Sequence, residues 1–251
     1  MARKTRVGFL LSLVFVLSTC SSAFSQTLFK QGNSYASLNV GLTFLNDIDF
    51  GAEASQGNRT VTAAGKLTFD TGASVGATYG YILSSLVRTE LELVYMEMDH
   101  DAIKVEGTLT SGGNTLQTVS GEASLNGEIE TLNGLASVIF TPSASGLEGI
   151  PFLGLLSGLL GNFTPLVGGG IGFADWEDKV KSATTSAGTL TINGEASETD
   201  FLAAVLAGLE YNVGQNLTAQ VTYRHLWIDS GKDGIDDAEA DNVSASLAYL
   251  F

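Results

Sequence analysis

Five charged residues have the types and spacing needed for ion pairing inside an enclosed polar space. Arg88, Glu90 and Glu92 alternate along one short stretch, and Glu210 and Arg224 follow later in the chain. Guanidinium and carboxylate groups form strong hydrogen bonds, and each one that is buried needs a partner or trapped water. The set predicts either a salt-bridged core that plugs the space or a gate. In the gate, ion pairs such as Glu210–Arg224 exchange and open a narrow path.

The first three charges lie in a stretch that alternates with a period of two. The odd positions from 89 to 95 carry threonine, leucine and tyrosine, whereas the even positions 88, 90 and 92 are charged. Successive side chains of a β-strand point to opposite faces, so Val87 to Met98 is predicted to be a strand. Three charges in one strand would be costly in lipid, and the charged face is therefore expected to line a polar lumen.

Seven further stretches show the same alternation, and each has about the length that a tilted strand needs to cross a bilayer. Glu210 and Arg224 fall on the polar faces of two of them. The last stretch places Tyr249 and Phe251 on its apolar face, at the very end of the chain. The eight predicted strands span about 35–46, 70–82, 87–98, 130–141, 164–178, 200–212, 217–227 and 242–251.

Eight such strands predict an all-β fold, an eight-stranded antiparallel transmembrane β-barrel, because closure leaves no unpaired strand edge in lipid. Short or apolar connections alternate with long polar ones. This places long loops on the extracellular side and both termini in the periplasm. The polar stretch 47–68 is predicted to be the first long loop. The apolar, glycine-rich segment 149–162 is interpreted as a turn or short helix at the inner membrane boundary.

Composition agrees with a barrel and argues against several other classes. Charged residues make up 16% of the chain and 30 of 251 residues are glycine, against about 25% charged residues and about 7% glycine in an average protein. After the amino terminus, no apolar run is long enough for a membrane-spanning helix. A net charge of −15 should repel nucleic acid, so no nucleic-acid partner is expected.

The amino terminus predicts a secretory signal peptide, residues 1–25. Basic residues precede the apolar run Val7 to Leu17, and Ala23-Phe24-Ser25 forms a small-x-small cleavage pattern. Cys20 is the single cysteine and lies inside this leader. The mature barrel domain, residues 26–251, therefore has no thiol for a disulfide or a metal site.

The long loops contain two candidate extensions of the barrel wall. Val105 to Ala123 predicts a hairpin around Ser111-Gly112-Gly113-Asn114, and Thr184 to Ala196 has a similar threonine-rich character. Two interpretations stay open. The loops are either simply tall, or they offer an exposed strand edge to which an extracellular partner adds a strand.

The acidic loop from Asp229 to Asp241 is expected to be a solvated loop and not a metal site. Gly231 and Ala240 stand where a calcium-binding loop needs oxygen ligands, and no helices flank it. No metal ion and no cofactor are predicted.

The two histidines predict no catalytic site. His225 has Ser230 nearby but no acid placed to orient its ring, so it is assigned to an outer interfacial belt of aromatic residues. His100 is assigned to a loop without a partner. The chain is not expected to be an enzyme. The other members assigned to the belt are Trp227, Tyr95 and Trp176.

Three segments resemble a known family, the OmpA-like and opacity-type outer-membrane barrels. Residues 163–173, F-T-P-L-V-G-G-G-I-G-F, resemble the family's Pro-x-Val-Gly-x-Gly-x-Gly strand. Residues 207–224, A-G-L-E-Y-N-V-G-Q-N-L-T-A-Q-V-T-Y-R, resemble its Ala-Gly-Val-Glu-Tyr turn strand ending in Tyr-Arg. Tyr249 and Phe251 resemble the terminal assembly signal of such barrels, although Ser246 stands where the family often has glycine.

The resemblance covers most of the mature chain. It implies the outer membrane of a Gram-negative bacterium, with outer-membrane lipid, lipopolysaccharide and the barrel-assembly machinery as partners. The family includes anchors, small pores, adhesins and surface antigens. A charged lumen and long loops favour a surface-exposed structural or interaction protein, adhesin- or antigen-like, with a mostly plugged lumen and a host or extracellular partner at its loops. The alternative is a small porin-like channel for ions or small solutes.

Overall fold

Alternating apolar and polar residues form antiparallel strands along most of the chain. The computed structural model describes residues 34–141, 163–185, 188–229 and 237–251. These residues form ten strands, and no helix among them is long and apolar enough to cross a membrane. The strands are β1 (Ser34–Leu45), β2 (Ile48–Gln56), β3 (Arg59–Phe69), β4 (Gly72–Ile82), β5 (Val87–Ser111), β6 (Asn114–Phe140), β7 (Phe163–Thr185), β8 (Gly188–Asn212), β9 (Leu217–Asp229) and β10 (Ala238–Leu250).

Eight of the ten strands pair in a closed ring, which confirms the predicted barrel. β1 pairs with β10 on one side and with β4 on the other. From β4 the pairing continues through β5, β6, β7, β8 and β9 back to β10. All these pairings are antiparallel. We call the end with Ser34, Phe251 and the turns at 83–86 and 213–216 the lower end, and the opposite end the upper end.

The stretch 47–68, predicted as a polar loop, is instead a hairpin. β2 and β3 pair along their whole length across a turn at Gly57 and Asn58, and Gly57 has a φ of +64° that suits glycine. β3 then pairs with the upper half of β5, from Phe69 opposite His100 to Arg59 opposite Ser111. The loop prediction was wrong because small residues make the alternation in this stretch weak.

The wall of the barrel is tall on one side. β5, β6, β7 and β8 have 25, 27, 23 and 25 residues, about twice the length that a strand needs to cross a bilayer. β1, β9 and β10 have only 12 or 13 residues. The hairpin predicted at 105–123 is present, with φ values of +57° and +82° at Gly112 and Gly113. The described residues of 184–196 lie in β7 and β8.

The inner and outer faces of the ring exchange polarity part of the way up. On β5 the outward side chains from Leu91 to Tyr95 are leucine and tyrosine, and those at Glu97 and Asp99 are acidic. The inward side chains change from charged to apolar above Glu92. On β10 the outward side chains change in the same way at Asp241. The outer face of the lower half suits lipid, and that of the upper half suits water. We call this level the polarity crossover.

Several predictions lie outside the described residues. These are the signal peptide with Cys20, the apolar segment 149–162, and the part of the acidic loop that contains Ser230 and Gly231.

Candidate functional site: the barrel lumen

The five charged residues singled out in the sequence all lie in the lower half of the lumen. Arg88, Glu90 and Glu92 project inward from β5, Glu210 from β8 and Arg224 from β9. The two arginines, Glu90 and Glu92 are at most 7% exposed. Charges buried this deeply need direct partners, because desolvation of an unpaired ion costs several kcal/mol (about 3–5 when one partner is removed).

Arg88 joins two of the glutamates in a first cluster. Its Nη1 lies 2.6 Å from Oε2 of Glu210, and its Nε lies 3.2 Å from Oε1 of Glu90. Tyr35 on β1 donates a hydrogen bond to Glu90. The guanidinium of Arg88 lies 5.3 Å from the centre of the Tyr35 ring, within cation–π distance. Gln220 donates to Glu210 at 3.1 Å.

Arg224 and Glu92 form a second cluster. Nη2 of Arg224 lies 2.9 Å from Oε1 of Glu92. The same oxygen accepts hydrogen bonds from Asn39 at 2.8 Å and from Thr78 at 3.4 Å. Strands β1, β4, β5 and β9 are thereby joined through one carboxylate.

The pair Glu210–Arg224, used in the sequence analysis as an example of exchange, does not form. Arg224 lies opposite Leu206 across the β8–β9 pairing. Glu210 is therefore four residues closer to the lower end, about 13 Å along the strand. Each residue pairs instead with the partner on β5 at its own height.

The lower lumen also contains buried polar atoms that no described residue satisfies. They include Oδ1 of Asn39, Oδ1 of Asn242 and Nε of Arg224. Buried polar atoms of this kind are usually satisfied by ordered water. The three glutamates outnumber the two arginines by one, so the five-residue set carries one net negative charge when all are ionised. The chemistry of the lower lumen suits water and cations.

The upper half of the lumen is filled by apolar side chains from seven of the eight ring strands. They form one packed cluster, and each is at most 7% exposed. A packed apolar cluster disfavours the passage of ions, although buried Thr131 and Asn133 also project inward from β6 at this height. Sequence reasoning missed it, although the inward positions of β5 become apolar from Val94 upward. We call this group the upper plug: Leu45, Val94, Met96, Met98, Ile129, Leu135, Ala174, Leu202, Ala204, Leu226, Ile228, Ala238 and Ala240.

Glycines on β7 allow the neighbouring strands to approach closely. Gly168, Gly170 and Gly172 fall on the lumen-facing side of the strand, as expected from the sequence. A Cβ at Gly172 would lie 1.8 Å from the carbonyl oxygen of Gly134, and one at Gly170 would lie 2.3 Å from Oγ of Ser137. Side chains at these positions would clash with backbone or wall, so the narrow lumen requires glycine here.

His100 is a buried strand residue and not a loop residue without a partner. It projects inward from β5 with 4% exposure, and its Nε2 lies 2.8 Å from Oδ1 of Asp178 on β7. Its ring also lies 5.4 Å from that of Phe69. The loop assignment was wrong because β5 continues well past the predicted end at Met98.

His225 does have an acid beside it, contrary to the sequence analysis. Its Nδ1 lies 2.8 Å from Oδ1 of Asp241 on β10, and its ring meets that of Trp227 edge-on at 4.4 Å. The acid was missed because it belongs to the neighbouring strand. Trp176, assigned to the outward belt, instead packs against the upper plug, since β7 keeps its inward alternation up to that position.

The carboxyl terminus lies at the lower end beside the first strand. Tyr249 faces outward and is 55% exposed to the membrane side. The backbone N–H of Phe251 donates to the carbonyl of Ser34 at 3.0 Å, and its ring lies 6.4 Å from that of Tyr79. Tyr249 is therefore accessible at the seam where β10 meets β1, and Phe251 is half-buried there.

A family match decides the broad class of this closed, polarity-inverted barrel. Residues 11–251 match the outer membrane protein beta-barrel domain. The chain belongs to this family. Members of this family reside in the outer membrane of Gram-negative bacteria, and this location agrees with the apolar outer face below the polarity crossover.

Solved outer-membrane barrels are similar in fold. Neisserial surface protein A is 12% identical, with 87% of this chain and 97% of that chain covered and a TM-score of 0.41. Ail, the attachment invasion locus protein of Yersinia pestis, solved with the heparin analogue sucrose octasulfate, is 12% identical, with coverage of 86% and 99% and a TM-score of 0.40. OprG from Pseudomonas aeruginosa is 13% identical, with coverage of 88% and 97% and a TM-score of 0.41. A comparison with curated protein sequences gives no match.

Proposed function

We propose that this outer-membrane barrel is a surface-exposed interaction protein with a sealed lumen. The observation that carries the proposal is the upper plug, whose apolar side chains fill the lumen above the charged clusters. An ion that entered from below would have to leave the polar clusters and pass the apolar side chains of the upper plug, which is unfavourable. A sealed barrel leaves binding at the outer surface as the main role.

The tall sheet above the membrane supports a binding role. Among the described residues β2 pairs only with β3, so its other edge offers the backbone N–H and C=O groups of a nine-residue strand. An exposed edge of this kind binds extended peptides by strand addition. Asp49 and Glu53 stand on this strand, and their charge favours a basic partner and disfavours self-pairing of the edge.

Conductance in planar bilayers tests the sealed lumen. Refolded wild-type protein should be silent. Leu226→Ser, which places a polar group in the plug where the side chain is 2% exposed, should admit water and give conductance steps. Leu91→Ser is the matched control, because that leucine faces lipid and is 64% exposed. Discrete steps in the wild type would overturn the proposal.

Peptide binding tests the strand edge. A lysine-rich peptide with alternating valines should bind the refolded barrel, and binding should weaken with salt. The same sequence N-methylated at alternate residues can no longer donate a full ladder of hydrogen bonds and should not bind. Equal binding of both peptides would remove strand addition as the mode.

A small channel is the second candidate function. It is favoured by one observation, the charged lower lumen with its unsatisfied polar atoms at Asn39 and Asn242. If the wild type conducts, Arg224→Ala should change the conductance, because Arg224 and Glu92 would then form the gate. Conducting wild type with unchanged conductance in Arg224→Ala would place the path elsewhere.

Two further partners belong to the proposal. Outer-membrane lipid and lipopolysaccharide would surround the apolar outer face below the polarity crossover. The barrel-assembly machinery would bind the terminal strand through Tyr249 and Phe251, which lie at the β10–β1 seam.

A further inference from the structure

The sheet formed by β2, β3 and the upper parts of β5 and β6 has one uncharged, almost wholly apolar face. Strand register aligns its residues in four rows across the four strands. A single glutamine, at the tip, interrupts the apolar pattern. The rows are Ile48–Leu67–Ile103–Ala123, Phe50–Gly65–Val105–Gly121, Ala52–Ala63–Gly107–Val119 and Ala54–Val61–Leu109–Gln117. We call this surface the apolar face.

The opposite face of the same sheet carries the charges. Asp49, Lys66, Lys104 and Glu122 form a row across it. Lys104 pairs with Glu122 at 3.7 Å, and the hydrogen bond from Lys66 to Asp47, at 3.0 Å, raises the pKa of that lysine above its ordinary value. The sheet is thus amphipathic, although it stands outside the membrane.

The apolar face is open to solvent in the described part of the chain. Val61 is 48% exposed, Val105 39% and Val119 59%. A contiguous apolar patch of this extent compares with the largest patch on a typical monomer, and such patches often serve in binding. The patch is about 19 Å wide and 23 Å long, from strand spacing and residue rise.

The apolar face points toward the space above the upper opening of its own barrel. Ile48, in its lowest row, and Phe69, next on β3, both pack against the upper plug. The pairing of β5 with β6 is irregular between Asp99 and Ala102. Below this irregularity the even-numbered residues of β5 face inward, and above it the odd-numbered residues do. Ile103 therefore lies on the same side of the sheet as the upper plug. The face is therefore the upward continuation of the lumen wall on the tall side.

We infer that the apolar face binds the apolar face of a second copy of this chain, presented by a facing membrane. This partner deepens the proposed function and rests on it. Two sheets packed face to face at about 10 Å would bury about 900 Å² in total, which is the size of a weak or transient interface. A face without charges suits a copy of itself, since each chain carries a net charge of −15.

The orientation of the face selects a copy from a facing membrane. In one membrane, two such faces would meet only if the barrels beneath them overlapped, because each face points toward its own barrel axis. A sheet that enters from above meets no such obstacle. From Asp99 to its tip at Ser111, β5 is about 40 Å long, a height of about 30 Å for a strand tilted by about 40°, which allows overlap with an opposed sheet. Each sheet then fills the space over the other's mouth.

Vesicle clustering tests the inference. Refolded protein is placed in two populations of zwitterionic vesicles, one labelled with a donor dye and the other with an acceptor dye. Wild-type vesicles should cluster across populations, and clustering should increase with salt as repulsion between the acidic chains is screened. Val119→Lys places a charge on the apolar face and should reduce energy transfer to the level of protein-free vesicles. Thr118→Lys is the matched control, since it adds the same charge on the opposite face.

Each outcome bears on the inference. Clustering of protein-containing vesicles with protein-free vesicles would mean that the apolar face binds lipid, which overturns the inference. Equal clustering by wild type and Val119→Lys would mean that the apolar face is not the contact, which also overturns it. The folded state of the protein is checked by its different gel mobility in boiled and unboiled samples. If the folded wild type does not cluster vesicles, the inference is also overturned. Basic-peptide binding at the β2 edge is measured on the same samples. If it persists while clustering fails, the proposed function stands and only the second copy is removed.

Discussion

Removing Arg224 tests whether the lumen clusters hold the barrel together. Arg224 and Glu92 are 7% and 5% exposed, and 2.9 Å separates Nη2 of the arginine from Oε1 of the glutamate. Within the described part of the chain, Arg224→Ala leaves the buried Glu92 carboxylate with only Asn39 and Thr78 as donors. Stranding a buried charge costs about 3–5 kcal/mol. The free energy of unfolding should fall by about that amount, because neither remaining donor carries a positive charge.

A second change separates the stranded charge from lost packing. Glu92→Gln removes the charge while keeping the shape and the ability to accept from Asn39. The double variant Arg224→Ala with Glu92→Gln should therefore be more stable than Arg224→Ala alone, with a coupling energy of about 1–3 kcal/mol. A cavity effect of the missing arginine stem would persist in both variants.

Urea unfolding in vesicles measures both effects, through tryptophan fluorescence and the fraction that keeps its folded gel mobility. Arg59→Ala is the matched control, because Arg59 is an exposed arginine at the tip of the β2–β3 hairpin. A loss for Arg224→Ala no greater than for Arg59→Ala would refute the reasoning. So would a double variant whose loss is the sum of the two single losses.

Three further predictions follow from the wall, the seam and the plug. Gly172→Ala should sharply lower the yield of folded barrel, because its Cβ would lie 1.8 Å from a backbone oxygen. Gly121→Ala is the control and should fold normally, because its Cβ would have nothing within 4 Å. Equal folded fractions of the two variants on gels would contradict this prediction. Phe251→Ala should reduce outer-membrane levels in cells while refolding in detergent stays unchanged, and equal losses in both would indicate a structural role instead. Met96 is 4% exposed in the upper plug. Met96→Ala should lower the free energy of unfolding in urea by about 2–5 kcal/mol, as for a large-to-small change in a packed core. An unchanged free energy of unfolding would mean that the plug is loosely packed.

The ring of the barrel was predictable because its strands alternate strongly. β1 and β10 each present an apolar face to lipid and a small, polar face to the lumen. A hydrophobic period of two residues is specific to strands, since helices have a period of about 3.6. The hairpin of β2 and β3 was not predictable in the same way. Its apolar face rests largely on alanine and glycine, such as Ala52, Ala63 and Gly65, and such residues give little contrast between the two faces.

The members of the lumen clusters were predictable, but their pairing was not. Inward position follows from alternation within one strand, whereas the partner of Arg224 depends on the register between strands. The tight turn at 213–216 already limits that register, and it places Glu210 too low to reach Arg224. The buried position of His100 was missed for a different reason, since the alternation of β5 continues through it but its exposed neighbours Asp99 and Asp101 are typical of a polar loop.

The polarity crossover also sets the thickness of membrane that this barrel fits. On β1 the outward apolar residues extend from Ala36 to Phe44, eight steps that correspond to a height of about 20 Å for a strand tilted by about 40°. An average hydrocarbon core is about 30 Å thick, so this barrel matches a thin bilayer. In thicker lipid, the acidic collar at Glu97 and Asp241 would be drawn toward hydrocarbon unless the bilayer thinned locally. The height of the apolar band thus favours bilayers with a thin hydrocarbon core, independently of any partner that the outer sheet binds.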